Sequence, residues 1–103
     1  MAGKVWGFDW DEGNWLKCQQ HGVSVEEIEE LFAGTVVVFP DREHRSGEKR
    51  FRAVGKTKAG RYVFVVFTQR VVDGQNKIRP ISARYMHRKE VESYEKENPD
   101  ISE

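Results

Sequence analysis

Residues 62–68 read YVFVVFT, and this run decides the fold because nearly every position in it is apolar. Such a run is typical of a strand in the middle of a sheet that is covered on both faces. Three further extended segments flank it, and residues suited to turns separate all four. The predicted strands are 35–39, 49–55, 62–68 and 77–83. Their short connections favour an antiparallel meander.

Helical patterns lie on both sides of these strands. The first helix is predicted from about 11 to 21. The second begins at a capping box formed by Ser24 and Glu27, and Gly34 ends it. A third is predicted from about 87 to 97. The order predicts an α+β fold with two N-terminal helices, a four-stranded, mainly antiparallel sheet and a C-terminal helix.

The chain has 103 residues, which is enough for one domain with one hydrophobic core. We expect a single domain over residues 1–103, with a core from about 5 to 97 and a disordered tail at 98–103. A single cysteine, Cys18, excludes an internal disulfide bond, and no apolar run follows a basic start. We therefore expect a cytoplasmic protein that does not enter a membrane.

Signatures of metal and nucleotide sites are missing from the sequence. The three histidines, His21, His44 and His87, lack the spacing of metal ligands. No GxxxxGK[ST], GxGxxG or GxSxG string occurs. We therefore expect no metal and no cofactor.

Charge is strongly divided along the chain, although the formal net charge is zero. Between Arg42 and Lys89 there are fourteen Lys and Arg residues and three acids, whereas the remainder has three basic residues and fourteen acids. A basic segment of this kind attracts phosphates and favours a nucleic-acid partner. Lys and Arg on the solvent face of a strand also protect a sheet against edge pairing, so charge alone leaves both interpretations open.

The second predicted strand alternates, so Glu48, Arg50 and Arg52 project on one polar face. These groups suit RNA cleavage without a metal. When a ribose 2′-hydroxyl attacks the adjacent phosphate, one group takes its proton, another protonates the leaving 5′-oxygen, and cations stabilise the charge on phosphorus. Arginine suits the last task because it binds phosphate oxygens in pairs. The strand alone fits a cross-strand ion pair on a solvated face equally well.

Short motifs that follow one another along the chain resemble the BrnT family. They are Phe8-Asp9-Trp10-Asp11, His21-Gly22-Val23-Ser24, Gly47-Glu48-Lys49-Arg50-Phe51, Ile78-Arg79-Pro80-Ile81-Ser82-Ala83-Arg84 and Arg88-Lys89-Glu90. Members of that family are ribonuclease toxins of type II toxin-antitoxin systems, with a fold like that of the RelE toxins. The resemblance implies a BrnA-like antitoxin with a ribbon-helix-helix DNA-binding end, and an assembly of two toxins with two antitoxins. It also implies that operator DNA is bound only through the antitoxin.

Candidate site residues follow from these matches and from the polar strand face. The catalytic candidates are His21, Glu48, Arg50, Arg79 and Arg84, and the RNA-binding candidates are Ser82, Arg52 and Arg88. Arg84, at the corner between the last strand and the last helix, is the strongest candidate for binding the scissile phosphate. His21 can carry a proton near neutral pH. The alternative is that His21 only closes the first helix, where a cation suits the carbonyl ends.

Two features depart from this picture. In a regular strand Arg79 and Arg84 point to opposite faces, so both reach one site only if the strand kinks or Arg84 lies beyond its end. Pro80 makes a kink or an edge position plausible. In addition, many relatives have a basic residue directly before the His-Gly pair, where this chain has Gln20.

The leading hypothesis is a metal-independent endoribonuclease in which Arg50, Arg79 and Arg84 bind the phosphate, while His21 or Glu48 transfers protons. The alternative is a non-catalytic module that binds RNA or an antitoxin. A purely structural partner protein would need a large exposed apolar patch, and the hydrophobic fraction of 38% disfavours it.

Overall fold

A computed structural model of the chain describes residues 7–40 and 49–97. In chain order its elements are α1 (Glu12–Cys18), α2 (Val25–Ala33), β1 (Val36–Pro40), β2 (Phe51–Lys56), β3 (Tyr62–Val72), β4 (Gln75–Tyr85) and α3 (Arg88–Glu97). The strands form one sheet in the order β1-β2-β3-β4, and every neighbouring pair is antiparallel. The predicted α+β class is therefore confirmed, and the likeness to RelE toxins stays a prediction.

Some predictions lie outside the described residues. They concern Glu48, His44, the connection before β2 and the tail at 98–103. The single domain with a core from about 5 to 97 also stays a prediction. Across the described ranges, no helix combines the length and the apolar character needed to cross a membrane.

The hydrophobic core lies between one face of the sheet and the first two helices. Alternate residues of β3, namely Val63, Val65 and Phe67, are completely buried, and Ile28 and Leu31 of α2 join the same cluster. This alternation arises because successive side chains of a strand point to opposite faces.

The thiol of Cys18 belongs to this core as well. Cys18 has no exposed surface. Burial raises the pKa of Cys18 to about 11, because an apolar environment disfavours the thiolate. The cysteine is therefore a packing residue in the folded protein.

Helix α1 is shorter than predicted. It begins after Asp11, whose carboxylate accepts a hydrogen bond from the backbone N–H of Asn14 in a capping box, and it ends at Cys18. The N–H groups of Gln19 and Gln20 bond to carbonyls three residues back, which tightens the chain into a turn. His21 consequently lies in a turn after the helix and not in its last helical turn. Gly22 follows with φ of +91°, a value that favours glycine.

Helix α2 starts and ends as predicted. Ser24 Oγ accepts the Glu27 N–H at 3.1 Å, and Glu27 Oε1 accepts the Ser24 N–H at 3.0 Å. The predicted capping box is confirmed, and Gly34 caps the other end. The box also positions the Glu27 carboxylate to accept a hydrogen bond from the hydroxyl of Tyr85 in β4.

Strand β4 contains a bulge that changes which side chains share a face. Ser82 pairs with Val66, but Pro80 pairs with Phe67, so Ile81 is the extra residue between them. Beyond it Arg79 pairs with Thr68. The predicted kink near Pro80 is thus present as a bulge.

The bulge places Arg79 and Arg84 on the same face of the sheet. Arg84 pairs with Phe64 and Arg79 with Thr68, and residues 64 and 68 of β3 point to one side because their separation is even. This face is opposite to the one that carries Val65 and Phe67 into the core. The bulge therefore removes the opposite-face obstacle predicted from regular alternation, although Arg84 lies within β4 and not beyond it.

Helix α3 lies on this second face with few contacts. Its Tyr94 ring packs against Tyr62 with the ring centroids 5.6 Å apart, and the Tyr62 hydroxyl donates to Glu95 at 3.0 Å. No residue of α3 is buried. The helix therefore rests on the sheet without closing the core.

Candidate nucleic-acid interface and active site

A cleft opens where the turn after α1 approaches the end of β4 and the start of α3. His21, Arg61, Arg84 and His87 line it together with Tyr85 and Met86, and its volume is about 470 Å³. A smaller cavity of about 90 Å³ lies alongside and is lined by His21, Phe64, Ser82, Ala83 and Arg84. We call the two together the His21–Arg84 cleft. Three predicted site residues, His21, Ser82 and Arg84, meet there.

Arg84 is held by a carboxylate from α3. Its Nη1 and Nη2 atoms donate to the two carboxylate oxygens of Glu90 at 2.7 and 2.9 Å, a paired geometry that also suits phosphate. The hydrogen bonds from Arg84 and from the His87 backbone lower the pKa of Glu90 to about 2. Since folding lowers this pKa from 4.5, the stability gained from the pair is present above pH 4.5 and is lost as pH falls toward 2. The pair therefore persists at neutral pH.

Arg61 is a second cation of the cleft. Its guanidinium carbon lies 3.4 Å from the centroid of the Tyr85 ring, a stacked position. The Tyr85 hydroxyl in turn donates to Glu27 Oε1 at 2.7 Å. That hydrogen bond, followed by burial, raises the pKa of Tyr85. Burial would raise the pKa of Glu27, but hydrogen bonds from Tyr85 and Ser24 outweigh it and lower that pKa.

The sequence did not lead to Arg61 and His87 as site residues, because it contains only part of the information that places them in the cleft. Arg61 follows Gly60, a residue suited to turns, between the second and third predicted strands. Its stacking on Tyr85 joins positions that are distant in sequence. His87 directly precedes α3, and its carbonyl accepts the Val91 N–H at 2.9 Å. The predicted start of the third helix at about 87 was the only sign of its position.

Arg52 lies beside Arg84 on the second face of the sheet. The guanidinium carbons of Arg52 and Arg84 are 5.7 and 5.0 Å from the centroid of the Phe64 ring. Arg50 precedes β2 and is half-buried. Arg52 and Arg84 thus approach the Phe64 ring from β2 and β4, the two strands that flank β3.

Arg79 is directed to different partners. Its Nη2 donates to Asp11 Oδ2 at 2.7 Å, and its Nη1 lies 3.3 Å from Asp9 Oδ2. The hydrogen bond from the Asn14 backbone, then that from Arg79, lowers the pKa of Asp11. Arg79 thus connects β4 to the start of α1, and it is not among the described residues that line the His21–Arg84 cleft.

Arg88, the remaining RNA-binding candidate in the described ranges, points into solvent. Its side chain is 93% exposed, and its Nε lies 3.2 Å from Glu92, one helical turn further on. The sequence placed it next to the site, and the structure places it at the first position of α3.

Residues 10–90 match the family model described as "Ribonuclease toxin, BrnT, of type II toxin-antitoxin system". The chain belongs to the BrnT family. The match covers most of the chain, including α1, the sheet and the start of α3, and the resemblance inferred from the motifs is confirmed. A search of curated proteins gave no match.

Membership of the BrnT family gives the chain a broad function. It is a ribonuclease toxin of a type II toxin-antitoxin system, and such a system supplies an antitoxin as partner. Within residues 7–40 and 49–97, no three His, Cys, Asp or Glu side chains are grouped closely enough to hold a metal ion. The His21–Arg84 cleft is the place in the described structure where imidazole and guanidinium groups meet.

Proposed function

We propose that this BrnT-family chain is an endoribonuclease that cleaves RNA without a metal ion, at the His21–Arg84 cleft. The observation that carries the proposal is that His21, Arg61, Arg84 and His87, which come from three separate segments of the chain, line one cleft. Two guanidinium groups can neutralise a phosphate, and two imidazole groups can move protons. This combination meets the requirements of phosphodiester cleavage.

The reaction assigns a role to each group. The ribose 2′-oxygen attacks the adjacent phosphorus and loses its proton to one imidazole, while the bond from phosphorus to the 5′-oxygen breaks and the other imidazole protonates the leaving oxygen. Arg84 and Arg61 bind the non-bridging oxygens, where charge develops. The products are a 2′,3′-cyclic phosphate and a free 5′-hydroxyl. Glu48 remains a candidate for one proton transfer, and Arg52, Arg50 and Ser82 are candidates for contacts with the flanking RNA.

Incubating the purified protein with RNA in EDTA tests this proposal. We expect cleavage to continue in EDTA and the upstream product to end in a 2′,3′-cyclic phosphate, which mass spectrometry identifies. Cleavage that stops in EDTA and returns with a divalent cation would contradict the metal-free mechanism. RNA that stays intact with and without divalent cations would contradict the enzyme as a whole.

The partner belongs to the same proposal. We infer that a BrnA-like ribbon-helix-helix antitoxin neutralises this toxin, that two toxins assemble with two antitoxins, and that operator DNA is bound only through the antitoxin. We also place the reaction in the cytoplasm, where cellular RNA is available. The mass of the purified complex by light scattering tests the stoichiometry.

A second function is favoured by one observation. In the described structure Arg84 is paired with Glu90, and Arg79 with Asp9 and Asp11, so both guanidiniums are neutralised by carboxylates. A module that binds RNA or antitoxin without cutting would tolerate this arrangement. A catalyst requires a phosphate to share or replace the Glu90 carboxylate. The position of Glu90 therefore leads to a direct test.

Replacing Glu90 with Gln is expected to raise the affinity for RNA. The substitution keeps the size of the side chain but removes the charge that competes with phosphate for Arg84, and charge-assisted hydrogen bonds of this kind correspond to roughly a tenfold change in affinity. Fluorescence anisotropy with an RNA whose 2′-hydroxyls are replaced by hydrogen measures binding without cleavage.

The matched control is Glu92→Gln, which removes a carboxylate of the same helix that pairs with the exposed Arg88. It is expected to change the affinity by less than about twofold, since exposed pairs contribute little. Equal affinities of Glu90→Gln and the parent protein would show that phosphate does not compete for Arg84.

A further inference from the structure

Two tryptophans form a second cleft at the start of α1. Trp10 and Trp15 have ring centroids 5.7 Å apart and ring planes at 79° to one another. With Asp11 and Glu12 they line a volume of about 280 Å³, which we call the tryptophan cleft. Its walls are therefore two indole rings in edge-to-face contact, bordered by carboxylates.

Trp15 forms the outer wall of this cleft, and much of its apolar surface is exposed to solvent. Trp15 is 43% exposed and the adjacent Leu16 is 60% exposed. Large apolar side chains that meet on a surface mark interaction sites more often than single exposed ones do. Tryptophan is also enriched among the residues that dominate protein interfaces. These properties favour a protein partner over solvent at this position.

The inner wall is held in place before any partner arrives. The indole N–H of Trp10 donates to Glu29 Oε2 at 3.0 Å, and the Trp10 ring stacks against Phe8 with centroids 6.5 Å apart. Asp11 is fixed by Asn14 and by Arg79. A preformed cleft binds more tightly because little order is lost on binding.

The charge around the cleft selects the type of side chain that fits. Asp11 and Glu12 line it, and Glu29 is bound to its inner wall. Arg79 neutralises the charge of Asp11, one of these three carboxylates. Carboxylates repel phosphate, whereas indole faces and carboxylates both attract a lysine or arginine side chain.

We propose that the antitoxin packs a lysine or arginine side chain against Trp10 and Trp15, beside the carboxylates of Asp11 and Glu12. The inference rests on the proposed function only for the identity of the partner, and it does not depend on RNA cleavage. The cleft lies at the start of α1 and His21 follows the end of that helix, about 10 Å away along a seven-residue helix. The antitoxin can therefore be anchored here while another of its segments approaches the basic cleft.

Two substitutions test the proposal against the purified antitoxin obtained from the co-expressed pair. Trp15→Ala removes one wall and is expected to weaken binding by about 30-fold or more, as for a central interface tryptophan. Glu12→Lys keeps the walls but reverses a bordering charge, and a loss of about tenfold is expected. Isothermal titration calorimetry measures both. RNA cleavage should match that of the parent in each case.

A matched control and a conservative variant complete the experiment. Val71→Ala shortens another exposed apolar side chain, at 69% exposure, and is expected to bind antitoxin as the parent does. Trp15→Phe keeps an aromatic wall and should retain most of the affinity. Because Glu12 is exposed, Glu12→Lys tests the cleft even if Trp15→Ala lowers the melting temperature.

The outcomes separate the possibilities. Parent-like affinity of both Trp15→Ala and Glu12→Lys would overturn the proposal. Weak binding by Trp15→Ala with parent-like binding by Glu12→Lys would overturn the assignment of a cationic side chain. Loss of binding in both variants, with no RNA cleavage by the parent, would support this inference and contradict the proposed enzyme.

Discussion

Replacing Arg84 with alanine is expected to lower the rate of RNA cleavage by about 100-fold or more, as expected for a preorganised group that stabilises charge in the transition state. The structure places its guanidinium in the same cleft as His21. The structure also pairs the guanidinium of Arg84 with both carboxylate oxygens of Glu90, which shows that this guanidinium can bind two oxygens of one group. Lysine at this position should recover only part of the rate, because it cannot bind two oxygens in a plane.

The assay is the cleavage of a short fluorescent RNA in EDTA, followed over time for each variant. Lys96→Ala is the control, because Lys96 is basic, exposed and near the end of α3, and it is not among the residues that line the cleft. It should cleave within about twofold of the parent rate, since exposed charges contribute little. An Arg84→Ala protein that is folded and cleaves as fast as the control would contradict the role of Arg84.

The loss of Arg84 also leaves Glu90 without its partner, which needs its own control. The double variant Arg84→Ala with Glu90→Gln removes that carboxylate charge as well. If the double variant recovered the parent rate, the defect of Arg84→Ala would come from repulsion by Glu90 and not from a missing phosphate contact. We expect the double variant to stay inactive.

Replacing Phe67 with alanine is expected to lower the free energy of unfolding by about 3–5 kcal/mol. Phe67 has no exposed surface, and its ring contacts Phe32 and Phe51 at centroid distances of 5.1 and 5.5 Å. Removing it leaves a cavity between the sheet and α2 that neighbouring side chains cannot fill. A loss of this size is a large share of the 5–15 kcal/mol typical of a domain.

Urea unfolding, followed by circular dichroism, measures this effect. Val71→Ala is the comparison, because Val71 lies on the same strand but is 69% exposed. It should change the free energy of unfolding by less than about 0.5 kcal/mol. Similar midpoints for the two variants would show that the ring of Phe67 is not at the centre of the core.

Local patterns in the sequence predicted the elements of this fold. The capping box at Ser24 and the apolar run of β3 each depend on residues close in the chain, so both could be read directly. The end of α1 was placed three residues too late. A turn of three-residue hydrogen bonds competes with the last helical turn there, and the residues 19–21 fit both.

The site could be predicted only in part because it depends on contacts between distant segments. The motifs identified His21 and Arg84, and both line the cleft. The bulge at Ile81 is set by the pairing of β4 with β3, so simple alternation put Arg79 and Arg84 on opposite faces. Arg61 reaches the cleft by stacking on Tyr85, from the loop that precedes β3. The roles of Glu48 and Arg50 stay predictions.

The buried sulfur of Cys18 can be used to measure local opening of the fold. It is the only cysteine in the sequence, it has no exposed surface, and its pKa of about 11 keeps it protonated at neutral pH. An alkylating reagent therefore reaches a reactive thiolate only when α1 separates from the sheet. The rate at which Cys18 Sγ is alkylated therefore measures how often the end of α1, next to the turn that carries His21, separates from the sheet.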